Sequence, residues 1–99
     1  MSHVRIGLYA LISGTAEEVV NRARAPQGML EVFRAQPGFR AYGIAQTAEG
    51  KLLSVSWWDE ASQADKANDL AASWTRENIA DLIRLENVQL ADFLLYESA

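Results

Sequence analysis

The sequence predicts an α+β fold of the ferredoxin-like βαββαβ type, with a four-stranded antiparallel sheet and two helices on one face. Two observations predict it. Residues 37–59 have the pattern of a β-hairpin. A long helical pattern lies on each side of this hairpin, and one further strand-like segment lies beyond each helix. Residues 1–99 are expected to form a single domain, because 99 residues with 49% apolar content suffice for one core.

The central hairpin is the clearest element of the pattern. Residues 39–47 are rich in β-compatible side chains, and residues 52–58 form a second extended run. Between the two runs, Gly50 is free to adopt the positive φ that a tight turn requires. Neither strand alternates cleanly between apolar and polar residues, which is typical of strands that are covered on both faces.

The helices and strands on either side of the hairpin are predicted from helix-capping residues and from proline and glycine, which interrupt helices. Residues 4–11 read as the first strand, and the sequence from Thr15 to Glu18 has the form of a capping box that begins a helix. That helical pattern extends to about Ala35, but Pro26 interrupts it, so we expect a kink or two shorter helices. Asp59 is expected to cap a second helix over residues 60–85, and residues 88–96 are expected to form the fourth strand.

Composition excludes several classes of partner and site. The net charge of −4 and the pI of about 4.8 argue against nucleic acid or an anionic membrane, since both require clustered basic residues. The absence of cysteine excludes disulfides, thiolate nucleophiles and zinc–sulfur sites, and it is compatible with a reducing cytoplasm. No signal peptide is visible, and no run approaches the ~18–20 apolar residues that span a membrane.

One face of the predicted sheet lacks a cover. Both helices are predicted to lie on one face of the sheet. Strand alternation places about half of the large apolar strand residues on the opposite face, which no helix covers. An exposed apolar sheet of this size is rare on a monomer, so we predict a two-fold homodimer that closes it. The large apolar strand residues are Leu8, Val55, Trp57, Phe93 and Leu95.

Three stretches give the sequence a resemblance to a known family. They are the Pro37-Gly38-Phe39 start of the second strand, the Glu49-Gly50 turn, and the run from Val55 to Asp59 before an alanine-rich helix. Over residues 4–96 they resemble the antibiotic biosynthesis monooxygenase group of dimeric α+β barrels. The group includes quinone-forming monooxygenases that oxidise polycyclic phenols with dioxygen and no cofactor, haem-degrading enzymes, and proteins of unassigned role.

The resemblance can be carried over residue by residue. Quinone-forming members have a Trp at the end of strand three, with Asn four residues before it and Tyr six residues after it. Here Trp58 matches the Trp, whereas Ser54 and Ala64 stand at the other two positions. Haem-degrading members ligate iron through a His on the second helix, and residues 61–85 contain no His. The resemblance therefore implies neither haem nor another cofactor.

Three residues are candidates for a site. Trp58 could line a cavity between sheet and helices and stack on a flat aromatic ligand, or it could fill the core or a dimer seam. Tyr42 shares a predicted strand face with Arg40 and could donate a hydrogen bond to a phenolate or carbonyl, or pack at a sheet edge. Asn68 lies in an alanine-rich stripe, where a buried amide without partners costs about 1–3 kcal/mol. Its side chain is therefore expected to reach a backbone group, a water or a ligand.

Two functions are left open by the sequence. The first is a homodimeric, cofactor-independent monooxygenase for a small aromatic or polyketide-like substrate, with Trp58, Asn68 and Tyr42 in its site. The second is a non-catalytic dimer that binds small molecules or is associated with stress, which the departures at Ser54 and Ala64 favour. The single histidine, His3, could act as a base or be a solvated strand end.

Overall fold

A computed structural model describes residues 2–98 of the chain. Its sheet has the strand order β2-β3-β1-β4, and every neighbouring pair is antiparallel. The βαββαβ prediction is confirmed, with the first helix divided in two. The elements in chain order are β1 (His3–Leu11), α1 (Ala16–Arg24), α2 (Met29–Arg34), β2 (Phe39–Gln46), β3 (Leu52–Trp58), α3 (Ala61–Asn78) and β4 (Ile83–Asp92).

The break between α1 and α2 has a local cause. Helix α1 begins as predicted, with the Thr15 hydroxyl accepting a hydrogen bond from the backbone N–H of Glu18. After α1 the chain passes Pro26 and enters the left-handed region at Gln27, where φ is 65°. A Cβ at Gly28 would lie 2.4 Å from the carbonyl oxygen of Ala23, so only glycine permits this close return of the chain.

The end of α3 and the start of β4 differ from the prediction. Helix α3 is capped by Glu60 rather than Asp59, and it ends at Asn78. Ile79, Leu82 and Ile83 have helical spacing, but they enter one buried cluster from a turn and a strand start. Strand β4 therefore begins earlier than predicted and ends at Asp92, so Phe93 and Leu95 lie beyond it. None of the described helices is long and apolar enough to cross a membrane.

A β-bulge in β2 changes the predicted alternation of side chains. The pairing of β2 with β3 shifts between Phe39 and Ala41, which leaves Arg40 as the extra residue. Phe39 therefore packs against the helix-side core together with Tyr42, although strict alternation placed the two on opposite faces. Arg40 instead forms an ion pair with Asp59, with 3.2 Å between Nη1 and Oδ1.

The other face of the sheet is apolar over β1, β2 and β3, and no helix covers it. On β4 the same face carries Gln89 and Asn87, which pair with Ile6 and Leu8. A Cβ added to Gly43 on this face would meet no atom within 4 Å. Only one corner is approached by the C-terminal segment, where Tyr96 borders a depression together with Trp57 and Arg40. We call this the open face, and by register it comprises Val4, Ile6 and Leu8 of β1, Leu53, Val55 and Trp57 of β3, and Ala41, Gly43 and Ala45 of β2.

Candidate functional site

Polar side chains lie in the middle of the helix-covered face of the sheet, where a small domain usually has only apolar ones. Strand pairing places Tyr42 opposite Ser56 and Ser56 opposite Arg5, so these three residues form one row across three strands. In the adjacent row, Ser54 lies opposite Gly7. The two rows place two hydroxyl groups, a phenol and a guanidinium under α3. We call Arg5, Tyr9, Tyr42, Ser54, Ser56 and Asn68 the polar patch.

Arg5 is the most unusual member of the polar patch, since its side chain is only 1% exposed. Its Nε donates to the Oδ1 of Asn68 at 3.1 Å, and its Nη2 donates to the Tyr9 hydroxyl at 3.0 Å. Nη1 has no partner, and it is the one such buried side-chain nitrogen or oxygen among residues 2–98. None of the ion pairs within this range includes Arg5. A buried cation without a counter-charge is costly, and such groups concentrate at functional sites.

Gly7 makes the space that the guanidinium occupies. A Cβ at this position would lie 3.0 Å from Nη1 of Arg5 and 2.9 Å from Cε1 of Tyr9. The absence of a side chain on Gly7 therefore lets the guanidinium and the Tyr9 ring lie directly over the strand. Ser54, which is paired with Gly7 on β3, flanks the same space.

Tyr42 is held as a neutral hydrogen-bond donor. Burial raises the pKa of the Tyr42 phenol to about 12, and the nearby Ser54 hydroxyl acts in the opposite direction. The ring packs edge-on against Phe33, with 5.2 Å between the ring centroids. The phenol therefore keeps its proton at physiological pH and can donate it in a hydrogen bond to a ligand oxygen.

The raised pKa of Tyr42 predicts an alkaline loss of stability. An unfolded tyrosine ionises near pH 10, whereas the folded Tyr42 ionises at about 12, so the unfolded state releases its proton first. Stability should therefore fall by roughly 2 kcal/mol between about pH 9 and pH 11.5 through this group alone. Urea unfolding of wild type and Tyr42→Phe at both pH values measures it. The Phe variant should lose less stability by that amount, and equal losses would contradict the assignment.

A small cavity lies between the polar patch and the helices. Tyr9, Tyr42 and Ser54 form its sheet side, and Met29 and Trp74 are among the side chains on its helix side. Only about 30 Å³ is open to the centres of water-sized molecules, which is room for one or two waters. A larger ligand therefore requires the helix side to move outward.

The three residues predicted from the sequence lie in two adjoining places. Tyr42 borders the cavity, and half-buried Asn68 holds Arg5 through a hydrogen bond. The Asn68 amide thus reaches a side chain, which was not among the partners expected for it. Trp58 is 1% exposed and packs edge-on against Phe33 and Phe39, with centroid distances of 5.4 and 5.6 Å.

Of Trp58 and the two positions at which the sequence differs from the quinone-forming members, Trp58 and Ala64 lie in one apolar cluster and Ser54 lies at the cavity. The Trp58 Nε1 donates to the Ser56 hydroxyl at 2.9 Å, so the indole is linked to the polar patch although it does not border the cavity. Ser54 borders the cavity and thus belongs to the candidate site. Ala64 is buried in the same apolar cluster as Trp58.

Two acidic side chains of β4 form polar contacts with other strands or turns. His3 is not free in the structure, since its Nδ1 is hydrogen-bonded to Oδ1 of Asp92 across the β1–β4 pair. Strand β4 begins earlier than predicted and therefore includes a second acid, Glu86. That carboxylate pairs with Lys51, with 2.7 Å between Nζ and Oε1. Among residues 2–98, no group of three or more His, Cys, Asp or Glu side chains is placed to hold a metal.

Sequence reasoning missed Arg5, although one signal pointed to it. In the βαββαβ fold β1 is a central strand, and the helices cover the face that carries Arg5. An arginine inside it consequently has no route to solvent and must find partners in the interior. Arg5 and Tyr9 also lie four residues apart on one strand face, so they were candidates for contact.

Comparison with known proteins identifies the fold. No protein-family model matches the sequence, and no curated protein matches it. Rv0793 of Mycobacterium tuberculosis superposes with a TM-score of 0.71 at 16% identity, covering 99% of this chain and 100% of that one. A variant of SnoaB, a cofactor-independent oxygenase from Streptomyces nogalater, has a TM-score of 0.71 at 14% identity, covering 96% and 95% of the two chains.

A third structure connects the fold with the family expected from the sequence. A Chloroflexus aurantiacus protein, whose name places it with the antibiotic biosynthesis monooxygenases, has a TM-score of 0.62 at 18% identity, covering 99% and 98% of the two chains. The resemblance stated from the sequence is therefore confirmed at the level of the fold. At these identities the likeness establishes architecture and leaves activity to be argued from the site.

Proposed function

We propose that the chain is a cofactor-independent monooxygenase of the cytoplasm, which acts as a homodimer of single-domain subunits on a small aromatic or polyketide-like substrate. One observation carries the proposal. A cavity lined mainly by apolar and aromatic side chains has polar groups on its sheet side, among them the Tyr42 phenol, whose pKa is raised to about 12 so that it is neutral at physiological pH. Such sites bind a flat apolar molecule and fix its orientation through a few polar contacts.

The proposed chemistry needs little from the protein beyond this environment. A substrate that has lost a proton from an acidic carbon transfers one electron to O₂, and the resulting carbon radical and superoxide combine to a peroxide. Protonation and loss of water then convert a CH₂ group and O₂ into C=O and H₂O. Fixed hydrogen-bond donors in a site without water stabilise the charged oxygens, and apolar walls protect the intermediates.

The three candidate residues have different proposed parts. Tyr42 donates a hydrogen bond to a substrate oxygen, as expected from its position at the cavity. Asn68 is a positioning residue, because its amide oxygen holds the guanidinium of Arg5. Trp58 is also proposed as a positioning residue, acting through its hydrogen bond to Ser56 and its contact with Phe33.

Oxygen uptake tests the proposal. Wild-type protein is mixed with a panel of hydroxylated anthrones and naphthols, and O₂ consumption and the oxidised product are measured together. We expect substrate-dependent uptake, with Asn68→Ala slower by about 10-fold or more, since the Arg5 guanidinium loses the amide that holds it and a misplacement of about 1 Å can cost up to about 10²-fold in rate. Asn21→Ala, on the exposed surface of α1, is the matched control and should behave like wild type.

The same panel separates the two functions that the sequence left open. Binding is followed by the shift of the melting temperature with each compound in the absence of O₂. Compounds that raise the melting temperature but are not converted in air would favour a non-catalytic binding protein. The absence of uptake for every compound that binds would overturn the monooxygenase proposal.

A further inference from the structure

We infer that Arg5 seats a single negatively charged ligand oxygen, so that the protein selects aromatic ligands with an acidic hydroxyl group and binds them as phenolates or enolates. This inference rests on the proposed function only for the aromatic nature of the ligand. The charged oxygen is argued from the surroundings of Arg5 alone, and it can be tested without turnover.

The first argument is charge. Arg5 stays protonated in any protein environment, and its side chain is 1% exposed. No carboxylate within the described residues forms an ion pair with it. An anionic ligand would supply the counter-charge that the folded chain itself lacks.

The second argument is the number of free donors. Arginine binds carboxylates and phosphates through two parallel N–H···O bonds, which requires two adjacent nitrogens to be available. Here Nε is engaged by Asn68 and Nη2 by Tyr9, and Nη1 alone has no partner. Nη2 keeps one of its two N–H groups, so the nitrogen that is wholly without a partner is Nη1, and a single phenolate or enolate oxygen suffices to occupy it.

The third argument is position. Nη1 lies 3.0 Å from the place where a Cβ of Gly7 would be, and Ser54 lies opposite Gly7 on β3. Ser54 and Tyr9 border the cavity, whereas Arg5 itself is not among its lining side chains, so the free nitrogen lies directly behind these two residues. A ligand oxygen that reaches it must enter between them. The Tyr42 phenol, which also borders the cavity, could donate a second hydrogen bond to the same oxygen.

The groups that face Arg5 do not compete for its charge. Its own strand contributes the Tyr9 phenol, β2 and β3 contribute Tyr42 and the serine hydroxyls, and α3 contributes the Asn68 amide. On β4, the residue paired with Arg5 is Leu90. None of these is a carboxylate, so a bound phenolate has no anionic neighbour here. The pKa of a bound phenol should therefore fall, because the adjacent cation favours its charged form.

The test uses 4-nitrophenol, whose anion absorbs visible light, and 4-nitroanisole as a neutral analogue of similar shape. Spectrophotometric titration of the bound nitrophenol should show its pKa lowered by at least about one unit, which means that the phenolate binds about 10-fold more tightly than the phenol. Arg5→Met should abolish this preference and leave the affinity for 4-nitroanisole unchanged. Arg34→Met, which removes an exposed arginine from α2, should retain the preference.

The melting temperature of Arg5→Met shows whether a loss of binding comes from a damaged fold. Because Arg5 is buried without a counter-charge, Arg5→Met should melt at the same temperature as wild type or higher. If Arg5→Met fails to fold, Arg5→Lys, which keeps the charge, replaces it in the titration. The pKa of the bound nitrophenol should then be lowered less than in wild type. Failure of wild type to bind 4-nitrophenol, an unchanged pKa of the bound probe, or a complex in which only water contacts Nη1 would each overturn the inference. Loss of oxygen uptake alone would not, since this binding needs no O₂.

Discussion

Replacing Trp58 by alanine is expected to destabilise the fold by about 3–5 kcal/mol, which is a large part of the stability of a domain of this size. The indole is 1% exposed and makes edge-on contacts with Phe33 and Phe39. Its removal also leaves the Ser56 hydroxyl without the hydrogen bond that Nε1 donates at 2.9 Å. Urea unfolding followed by circular dichroism measures the effect.

Trp58→Phe is the matched variant for this prediction. Phenylalanine keeps an aromatic ring in the cluster, so a loss of about 1–2 kcal/mol is expected from the smaller volume and the missing donor. If Trp58 stacks directly on ligand, Trp58→Phe should weaken ligand binding by more than its change in stability explains. A loss below 1 kcal/mol for Trp58→Ala would contradict the packing described here.

The second large effect concerns the open face. Wild-type protein at micromolar concentration is expected to sediment as a dimer of the 11.0 kDa chain, whereas Val55→Asp should sediment as a single chain. Val55 lies near the middle of this face, between Ile6 on β1 and Gly43 on β2. A two-fold axis would bring two such carboxylates into one interface, and desolvating like charges should weaken association by about 100-fold or more.

Ala72→Asp provides the control for this experiment. Ala72 is exposed on α3, away from the sheet, so the same change of charge should leave the oligomeric state of the protein as it is in wild type. Wild-type protein that remains a single chain at micromolar concentration would refute the homodimer. It would also remove the dimer from the proposed function, although the arguments on Arg5 would stand.

The sequence was sufficient for elements whose local signals agree. In β3, the strand period of two places Leu53, Val55 and Trp57 on the face opposite to Ser54 and Ser56, although Leu52 and Trp58 make the pattern imperfect, and pairing with both neighbours confirms the two faces. The sequence was insufficient where the spacing of apolar residues is compatible with two kinds of secondary structure. Residues 79–83 fit a helix by their apolar period, yet they bury the same side chains from a turn and a strand start.

The candidate site was predictable only in part for a similar reason. Asn68 and Tyr42 stand out locally, as an amide in an alanine-rich stripe and a phenol in a buried strand. The role of Arg5 depends on contacts with Asn68, which lies 63 residues away in the chain, and no local pattern reports such a contact. The bulge at Arg40 was also hidden, because its cause is the pairing with β3 rather than any residue of β2.

Strand β1 serves both faces of the sheet. Its odd-numbered residues include Arg5, Gly7 and Tyr9, which carry the polar patch, while Ile6 and Leu8 between them belong to the open face. Because side chains alternate along a strand, deleting Leu8 while residues 9–11 keep their pairing would send the Arg5 guanidinium outward and Ile6 inward. The length of β1 is therefore under a tighter constraint than the identity of most side chains in it, and engineering of this protein should leave that length untouched.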